Sequence, residues 1–456
     1  MKINSRIRLR IRLVSFALIS ILCVACAASA VTQVKPWTIL VYMCSDNDLE
    51  PYGQKNLQQM AKVGSSDFLN IVVLCDRKSA PASLIYVEKN NLKVLKNLGP
   101  IDSGNIGTLV SFAKENIAAF PAEHYILELW GHGQGWRSKP ENPIFRWVSY
   151  DETSKTAISI ENLGKGLNEI KNFLGKKIDV LAYDACLMQM VEVACSIRGN
   201  ADYIVGSEEV TPGDGLPYDV VFGNFKPGMT PFDLCKMWVD SYVYYYAHSE
   251  DKYTPATLSV LDDNNLGELQ TSLENFAKIA MEGMFTQQIK TALAVTQRFY
   301  LMENKDLGDF LSNLKKNITD PRFLQAIANI ENAYSKAVAY SNFNNNFMKN
   351  ATGMAIYFPE TKAAYDARYD LCAYGKKSNW NAMLKDYLGK LTVDGIVQMT
   401  LSGDLSELKS FVQNDAKKDS LTANLLIERL NFETFAERGL NGDQTQEVTN
   451  LLKGIK

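Results

Sequence analysis

With 456 residues, of which 46% are hydrophobic, the chain is long enough for two or three domains and has the composition of a globular protein. Its 51 acidic residues outnumber its 48 basic ones. The sequence therefore argues against a nucleic-acid-binding protein, because binding to phosphate backbones requires clustered positive charge.

The first 30 residues have the composition of a secretory signal peptide. Five basic residues precede an apolar run at 13–25, which is too short to span a bilayer as a permanent helix. Ala28-Ser29-Ala30 offers a cleavage site, but 22–26 (LCVAC) also resembles a lipobox, in which Cys26 would be lipidated. Both routes predict export, to a secreted form or to a lipoprotein of the outer membrane or cell surface. No later apolar run is long enough to cross a membrane, so membrane contact is expected only through that anchor.

Downstream of residue 30, apolar runs that suit buried strands alternate with segments that have helical spacing. The predicted strands are 37–44, 69–76, 124–131, 178–186 and 203–207, and the predicted helices are 104–120, 160–174, 187–197 and 231–248. Two shorter strands flank Asn90-Asn91 as a hairpin. Strands that alternate with helices predict an α/β fold with a mostly parallel central sheet.

The second half of the chain is predicted to be mainly helical. A strand at 256–261 is followed by a long helical stretch at 266–314, and the apolar run 352–358 predicts one more strand. From Leu391 onward the chain is charged, with apolar residues at helical spacing, which predicts a helical tail.

Two of the predicted strands end in reactive side chains. His132 follows one strand between two glycines, and Cys186 follows another at the predicted start of a helix. Sites in parallel sheets form where the carboxyl ends of strands meet, and a helix N-terminus stabilises a thiolate. A histidine within reach can hold the thiolate and protonate a leaving amine. The backbone N–H groups of Gly133 and Cys186 would then form an oxyanion hole.

A structural role for both residues is the alternative, because a lone cysteine or histidine at a strand end is more often simply packed. The small number of histidines limits the candidates for a catalytic base. Of the three histidines, His124 begins a strand and His248 lies on a tyrosine-rich helix, so only His132 has a glycine-flanked loop setting. The pattern therefore favours a catalytic Cys–His pair.

Seven short segments follow one another in the order found in one peptidase family. They are 41–43 (VYM), 46–49 (DNDL), 130–133 (WGHG), 183–186 (YDAC), 206–209 (GSEE), 212–215 (PGDG) with Tyr218, and 353–359 (GMAIYFP). With them the sequence resembles the clostripain-like cysteine peptidases of the caspase–gingipain–legumain group. One such segment is weak evidence, since signatures do not transfer between families, but the shared order is specific.

The resemblance implies a caspase-like three-layer α/β sandwich and an endopeptidase that cleaves after Arg or Lys. Residues 31–250 are then expected to form the catalytic domain, 251–390 to add strands and helices to its core, and 391–456 to form a helical tail. By the same resemblance Cys186 is the nucleophile and His132 the general acid/base. We expect protein or peptide substrates, no required cofactor, and a monomer.

Two acids are candidates for the pocket that would receive the basic side chain of the substrate. By resemblance Asp184 lines it, and a carboxylate in a partly dry pocket selects a cation, with bidentate contact favouring Arg. The alternative for Asp184 is an acid that satisfies backbone donors at a helix start. Asp214 is the second candidate, and its alternative is a simple turn residue. Another option is cleavage after Asn or Asp, and the acidic Asp184 argues against an acidic side chain at that position.

Family members are often made as zymogens that are cut after a basic residue between the histidine and cysteine strands. Arg137, Lys139, Arg146 and Lys155 lie in that interval, and a peptidase rarely cuts Lys139 before Pro140. Arg146 and Lys155 are therefore the candidate cleavage sites. The alternative for these residues is ordinary solvated loop charge.

Calcium is left open as a structural ion, because some relatives use it. Asp46, Asp48 and Glu50 begin like a calcium-binding loop, but Pro51 and Leu57 stand where that loop needs Gly and Glu. These acids are expected to cap a helix instead, and no metal ligand is assigned.

The competing function is a catalytically silent surface protein with a peptidase fold that binds peptide or glycan. The complete set of His132, Cys186 and Asp184 disfavours it, since a silent relative would be free to lose one member.

Overall fold

The computed structural model describes residues 34–137, 148–250, 252–283, 285–402, 404–417, 419–431 and 442–455. The signal-peptide and Cys26 predictions lie outside these ranges. In chain order the strands are β1 (Lys35–Ser45), β2 (Leu69–Arg77), β3 (Ala80–Glu88), β4 (Asn91–Gly99), β5 (Ala122–Trp130), β6 (Val148–Asp151), β7 (Thr156–Ile158), β8 (Ile178–Asp184), β9 (Ala201–Gly206), β10 (Thr257–Asp262), β11 (Asn304–Asp306), β12 (Val338–Phe343) and β13 (Ala355–Tyr357).

The helices of the described ranges begin and end as follows: α1 (Glu50–Val63), α2 (Ile106–Ala119), α3 (Ile160–Leu174), α4 (Val191–Ile197), α5 (Tyr218–Gly223), α6 (Pro231–His248), α7 (Leu266–Glu282), α8 (Thr286–Leu293), α9 (Leu307–Lys315), α10 (Pro321–Ala337), α11 (Asn379–Leu401), α12 (Ser406–Asn414), α13 (Ser420–Asn431) and α14 (Gly442–Ile455). The predicted helices 160–174 and 231–248 coincide with α3 and α6.

The largest sheet has nine strands in the order β12-β10-β9-β8-β5-β1-β2-β3-β4. The five strands from β9 to β2 pair in parallel, as the continuous apolar runs predicted, because helices cover both of their faces. The outer pairings, which involve β3 and β4 on one side and β10 and β12 on the other, are antiparallel. The predicted parallel block is therefore the centre of a mixed sheet.

Side chains alternate across the central strands into two separate cores. Leu40 and Tyr42 of β1 join one core, with helices that include α2, α3, α4 and α7. Ile39 and Val41 join the other, with α1, α5 and α6. Two helical layers thus enclose the sheet, which confirms the predicted three-layer α/β sandwich.

Two predicted elements differ from the structure. The helix expected from residue 187 begins only at Val191, because Leu187 has a left-handed φ of 61° and its N–H bonds to the Glu209 carbonyl. The long helical stretch expected at 266–314 is instead three helices, α7 to α9, and β11 lies just before α9, paired with β13.

The tail forms its own apolar cluster. Helix α11 begins with Trp380 and Leu384 in the large core and continues with Ile396 in a smaller cluster shared with α12, α13 and α14. Across the described ranges, no helix combines the length and apolar character needed to cross a membrane. The cysteines of these ranges, among them Cys186 and Cys195, are free thiols.

Candidate active site

The two strands with reactive tips are direct neighbours. β5 and β8 pair in parallel with Trp130 opposite Asp184, and the Gly131 N–H continues the ladder to the Asp184 carbonyl at 3.1 Å. His132 and Cys186 therefore leave the sheet side by side at its carboxyl edge. In an open α/β sheet, this edge is where ligand sites form.

Gly133 lies directly against the backbone of Cys186. A Cβ atom at position 133 would stand 2.4 Å from the Cys186 carbonyl oxygen and 3.0 Å from its nitrogen, so only glycine fits. Neither the Gly133 N–H nor the Cys186 N–H donates a hydrogen bond to another residue in the described part of the chain. Two adjacent, unused N–H groups are the donors that an oxyanion hole requires.

The Cys186 thiol is not at a helix N-terminus, so that expectation is wrong. Helix α4 begins five residues later, and the intervening turn is fixed by backbone bonds to the segment that follows β9. Burial, followed by the charges of Asp184 and Glu209, raises the pKa of the Cys186 thiol to about 11. The Sγ atom lies 3.9 Å from the Thr211 carbonyl oxygen. At neutral pH the resting group is therefore a thiol and not a thiolate.

His132 is held from two sides. Its Nε2 lies 2.8 Å from Asp48 Oδ1, and its carbonyl accepts a hydrogen bond from the Ser149 N–H of β6. The Asp48 side chain is 66% exposed, whereas that of His132 is 20% exposed. Asp48 thus restrains the imidazole from the loop after β1, a contact that the sequence analysis missed.

The acids after β1 do not share one role. Asn47, and not an acid, accepts the hydrogen bond from the Leu49 N–H at the start of α1. Asp46 accepts from the Thr153 hydroxyl, and Glu50 accepts from the Ser79 N–H. The acids therefore do not cap α1 as predicted, because each of them contacts a different segment of the chain.

Asp184 lies behind Cys186 and is almost fully buried, with 5% of its surface exposed. Its Oδ2 accepts hydrogen bonds from the Leu216 N–H and the Tyr218 hydroxyl, each at 3.0 Å. Its Oδ1 accepts no hydrogen bond from another described residue. A Cβ at Gly215 would come within 2.6 Å of the carboxylate, so the glycine keeps the space above it open. These donors come from the chain after β9, which differs from the predicted alternative, a cap at the start of its own helix.

One proton decides which acid in this pocket is charged. The Tyr218 hydroxyl contacts both Glu128 Oε1 and Asp184 Oδ2, but it has a single hydrogen to donate. Burial raises the pKa of Glu128 well above its usual range, and it raises the pKa of Asp184 to about 6. Because burial raises the pKa of Glu128 further than that of Asp184, Asp184 is the acid of this pair that ionises at the lower pH.

Asp214, the second candidate for the pocket, takes part in an ion pair. Asp214 Oδ2 lies 2.7 Å from Lys55 Nζ, and both side chains are partly exposed. Its backbone carbonyl accepts a hydrogen bond from Asn56. Asp214 is therefore anchored to α1 through its side chain and its carbonyl.

Among the basic residues considered for cleavage, Arg146 lies outside the described residues. Lys155 lies in the turn between β6 and β7, with a left-handed φ of 56°. Arg137 is buried, stacks on Trp136 and pairs with Glu303, so its charge belongs to the core.

Comparisons with known proteins identify the family and the fold of the chain. The sequence profile of the clostripain family of C11 peptidases matches residues 41–387. Clostripain from Hathewaya histolytica is 30% identical over 231 residues, a match that covers 42% of this chain and 42% of that protein, so it spans less than half the length of the curated relative.

Two solved structures share the fold. A secreted C11 cysteine protease from Bacteroides thetaiotaomicron, bound to an irreversible peptide inhibitor, superposes with a TM-score of 0.59 at 20% identity and covers 77% of this chain and 99% of its own. An inactive zymogen C11 protease from Parabacteroides distasonis gives a TM-score of 0.59 at 21% identity, with 78% and 99% coverage. The profile match extends over most of the sequence and includes both strand tips, and the chain therefore belongs to the clostripain family.

Proposed function

We propose that this protein is an exported cysteine endopeptidase that cleaves peptide chains after Arg or Lys. The observation that carries the proposal is the contact between the strand tips, where Gly133 rests on the backbone of Cys186 and His132 leaves the sheet beside it. The charged Asp184 behind the thiol supports selection of a cationic side chain. The secreted relative from Bacteroides supports export.

The reaction begins with proton transfer from the Cys186 thiol to the His132 imidazole. The thiolate attacks the substrate carbonyl carbon, and the N–H groups of Gly133 and Cys186 stabilise the oxyanion that develops. As the C–N bond breaks, the imidazolium protonates the leaving amine, and water then hydrolyses the thioester. A removed oxyanion donor typically costs about 3–4 kcal/mol of transition-state stabilisation.

The substrate also helps to activate the nucleophile. The charge of Asp184 is one of the causes that keep the pKa of Cys186 high. A bound Arg or Lys side chain neutralises that charge, which lowers the cost of forming the thiolate beside it. Specificity and activation are thus coupled through a single carboxylate.

Replacement of Cys186 by Ala is expected to abolish hydrolysis of Arg- and Lys-terminated fluorogenic peptides, because no other group can form the acyl intermediate. The assay is run before and after trypsin treatment, which mimics activation, and with a thiol alkylator. Cys195→Ala is the matched control, since Cys195 is another partly exposed thiol. No alkylator-sensitive turnover in the wild-type protein, even after trypsin, would favour the silent peptide- or glycan-binding protein.

Asp184→Asn is expected to lower kcat/KM for an Arg substrate by about 100-fold, because a charged hydrogen bond to the guanidinium is lost. Asp214→Asn is expected to change it by less than about fivefold, since partly exposed ion pairs contribute at most about 1 kcal/mol. Steady-state kinetics of both variants distinguish the two pocket candidates. A larger loss in Asp214→Asn would transfer the specificity role to that residue.

The preference for a charged substrate is expected to weaken as the pH falls through about 6. Asp184 has a raised pKa, so below that pH it is protonated and no longer attracts a cation. The groups that face it are Glu128, Tyr218 and Tyr242. Both substrates are cleaved by the same Cys186 and His132, so the measured quantity is the ratio of kcat/KM for matched Arg and citrulline substrates. A constant ratio between pH 5 and 8 would contradict this role of Asp184.

As a zymogen, the chain is proposed to cut itself after Arg146 in preference to Lys155. A substrate binds a peptidase cleft as an extended segment, whereas cleavage after Lys155 requires the β6–β7 pairing of Asp151 with Thr156 to open. Intact mass spectrometry is expected to show two fragments for the wild type and for Lys155→Ala, but one chain for Arg146→Ala and Cys186→Ala. A cut in the Cys186→Ala protein would contradict self-processing.

A further inference from the structure

The loop 131–137, which carries the catalytic imidazole and one oxyanion donor, is fixed to the sheet at only one end. The Gly131 N–H bonds to the Asp184 carbonyl of β8, and the His132 carbonyl accepts a hydrogen bond from β6. Between residues 133 and 137, no backbone group forms a hydrogen bond to another described residue. Side chains must therefore hold the far end of the loop in place.

Trp136 packs this loop against the second half of the chain. Its side chain is 3% exposed, and its ring centroid lies 4.8 Å from those of both Tyr357 and Tyr369. Tyr357 ends β13, and Tyr369 lies between β13 and α11. On the other side, Gly135 has a left-handed φ of 61°, and a Cβ there would stand 2.9 Å from the Leu187 carbonyl oxygen. The loop is thus enclosed between the turn after β8 and two aromatic rings from the second half of the chain.

Arg137 adds ion pairs to this apolar contact. Its side chain is 7% exposed, its Nη2 lies 3.5 Å from Glu303 Oε2, and its Nε lies 3.8 Å from Asp366 Oδ2, an acid that also pairs with Arg368. The guanidinium stacks on the Trp136 ring at 5.3 Å. A planar guanidinium can contact two acids and an aromatic face at once, which an ammonium group cannot. Separating such a buried pair is costly, because it leaves a charge without a partner.

We propose that Arg137 is a positioning residue for the oxyanion hole, an inference that rests on the proposed peptidase function. Its ion pairs with Glu303 and Asp366 fix the end of the loop and so keep the Gly133 N–H beside the Cys186 N–H. Arg137 acts through the backbone of the loop, whereas the two N–H groups act on the substrate. Donors that are already in place stabilise the oxyanion without any reorganisation during the reaction.

The proposed self-cleavage increases the importance of this anchor. In the uncut chain the loop is joined covalently to β5 on one side and to β6 on the other. A cut after Arg146 removes the second connection, and the ion pairs of Arg137 then hold the end that the cut sets free. Glu303 and Asp366 thereby give the second half of the chain a part in catalysis, although it supplies neither the thiol nor the imidazole.

Steady-state kinetics of Arg137→Met test the proposal, since methionine fills much of the same space without the charge. We expect kcat for the Arg substrate to fall by about 10- to 100-fold and KM to change by less than about threefold, because an oxyanion donor acts in the transition state. Arg137→Lys should recover part of the loss, since it keeps the charge but not the planar fork. The control Arg322→Met, which removes an exposed arginine paired with Glu282, should leave kcat unchanged. An unchanged kcat in Arg137→Met would overturn the proposal.

A reagent that forms no oxyanion separates this role from a general loosening of the site. Methyl methanethiosulfonate transfers its methylthio group to the Cys186 sulfur and releases methanesulfinate, so its rate depends on the thiol and its base but not on the oxyanion hole. Mass spectrometry of the Cys186 peptide is expected to show rates within about twofold for Arg137→Met and the wild type. An equal loss in this reaction and in peptide hydrolysis would overturn the assignment to the oxyanion hole.

Limited digestion with trypsin tests the anchor without any peptidase activity. In Cys186→Ala protein, trypsin is expected to spare the peptide bond after the buried Arg137. Glu303→Gln combined with Asp366→Asn removes both counter-charges, so a cut after Arg137, mapped by mass spectrometry, is then expected to appear. Resistance of this bond in the folded double variant would overturn the anchor, even if the protein proves to be inactive.

The matched control for the digestion is Glu282→Gln, which releases the exposed Arg322 and should leave the bond after Arg137 uncut. Melting temperatures show which variants are folded. If Arg137→Met or the double variant does not fold, Glu303→Gln alone takes its place in each assay, since the Glu303 side chain is 26% exposed and tolerates the loss of its charge. The expected changes are then in the same directions and smaller.

Discussion

The parallel pairing of β5 with β8 is the constraint on which the rest of the site depends. It places Trp130 opposite Asp184, so that His132, Gly133 and Cys186 leave the sheet at the same level. A shift of this register by one residue would turn every side chain of one strand to the opposite face. The two apolar cores on either side of the sheet oppose such a shift, because each receives alternate residues of both strands. The geometry of the reactive groups is thus fixed by the packing of the whole domain.

The second organising feature is the distribution of charge in the buried pocket. Glu128, Tyr218 and Asp184 form a chain in which one hydroxyl hydrogen faces two acids. Since burial raises the pKa of Glu128 further than that of Asp184, the first negative charge falls on the carboxylate nearer to the thiol. A neutral Glu128 lets the pocket hold one charge without the repulsion of a second. Asp214, in contrast, forms an ion pair with Lys55, which anchors it to α1.

Much of this arrangement follows from the sequence. Continuous apolar runs predicted the central strands, and the glycine-flanked histidine and the strand-end cysteine identified the two tips. Contacts between distant segments were not predictable. The turn at Leu187 depends on a bond to Glu209, and the pairing of His132 with Asp48 joins residues 84 positions apart. The proximity of Asp46, Asp76 and Asp151 was also not predictable. These acids are far apart in sequence and come together only in the folded sheet.

The protonated state of Cys186 has a consequence for the lifetime of the protein outside the cell. Thiolates attack peroxides and disulfides and are oxidised in the process, whereas neutral thiols react slowly. With its pKa at about 11, the free nucleophile spends nearly all of its time in the resistant form. If a cationic substrate is what lowers that pKa, the reactive form exists mainly while the site is occupied and oxidants are kept out. Burial of the thiol, together with the charge of Asp184, would then protect the nucleophile from oxidative inactivation between turnovers.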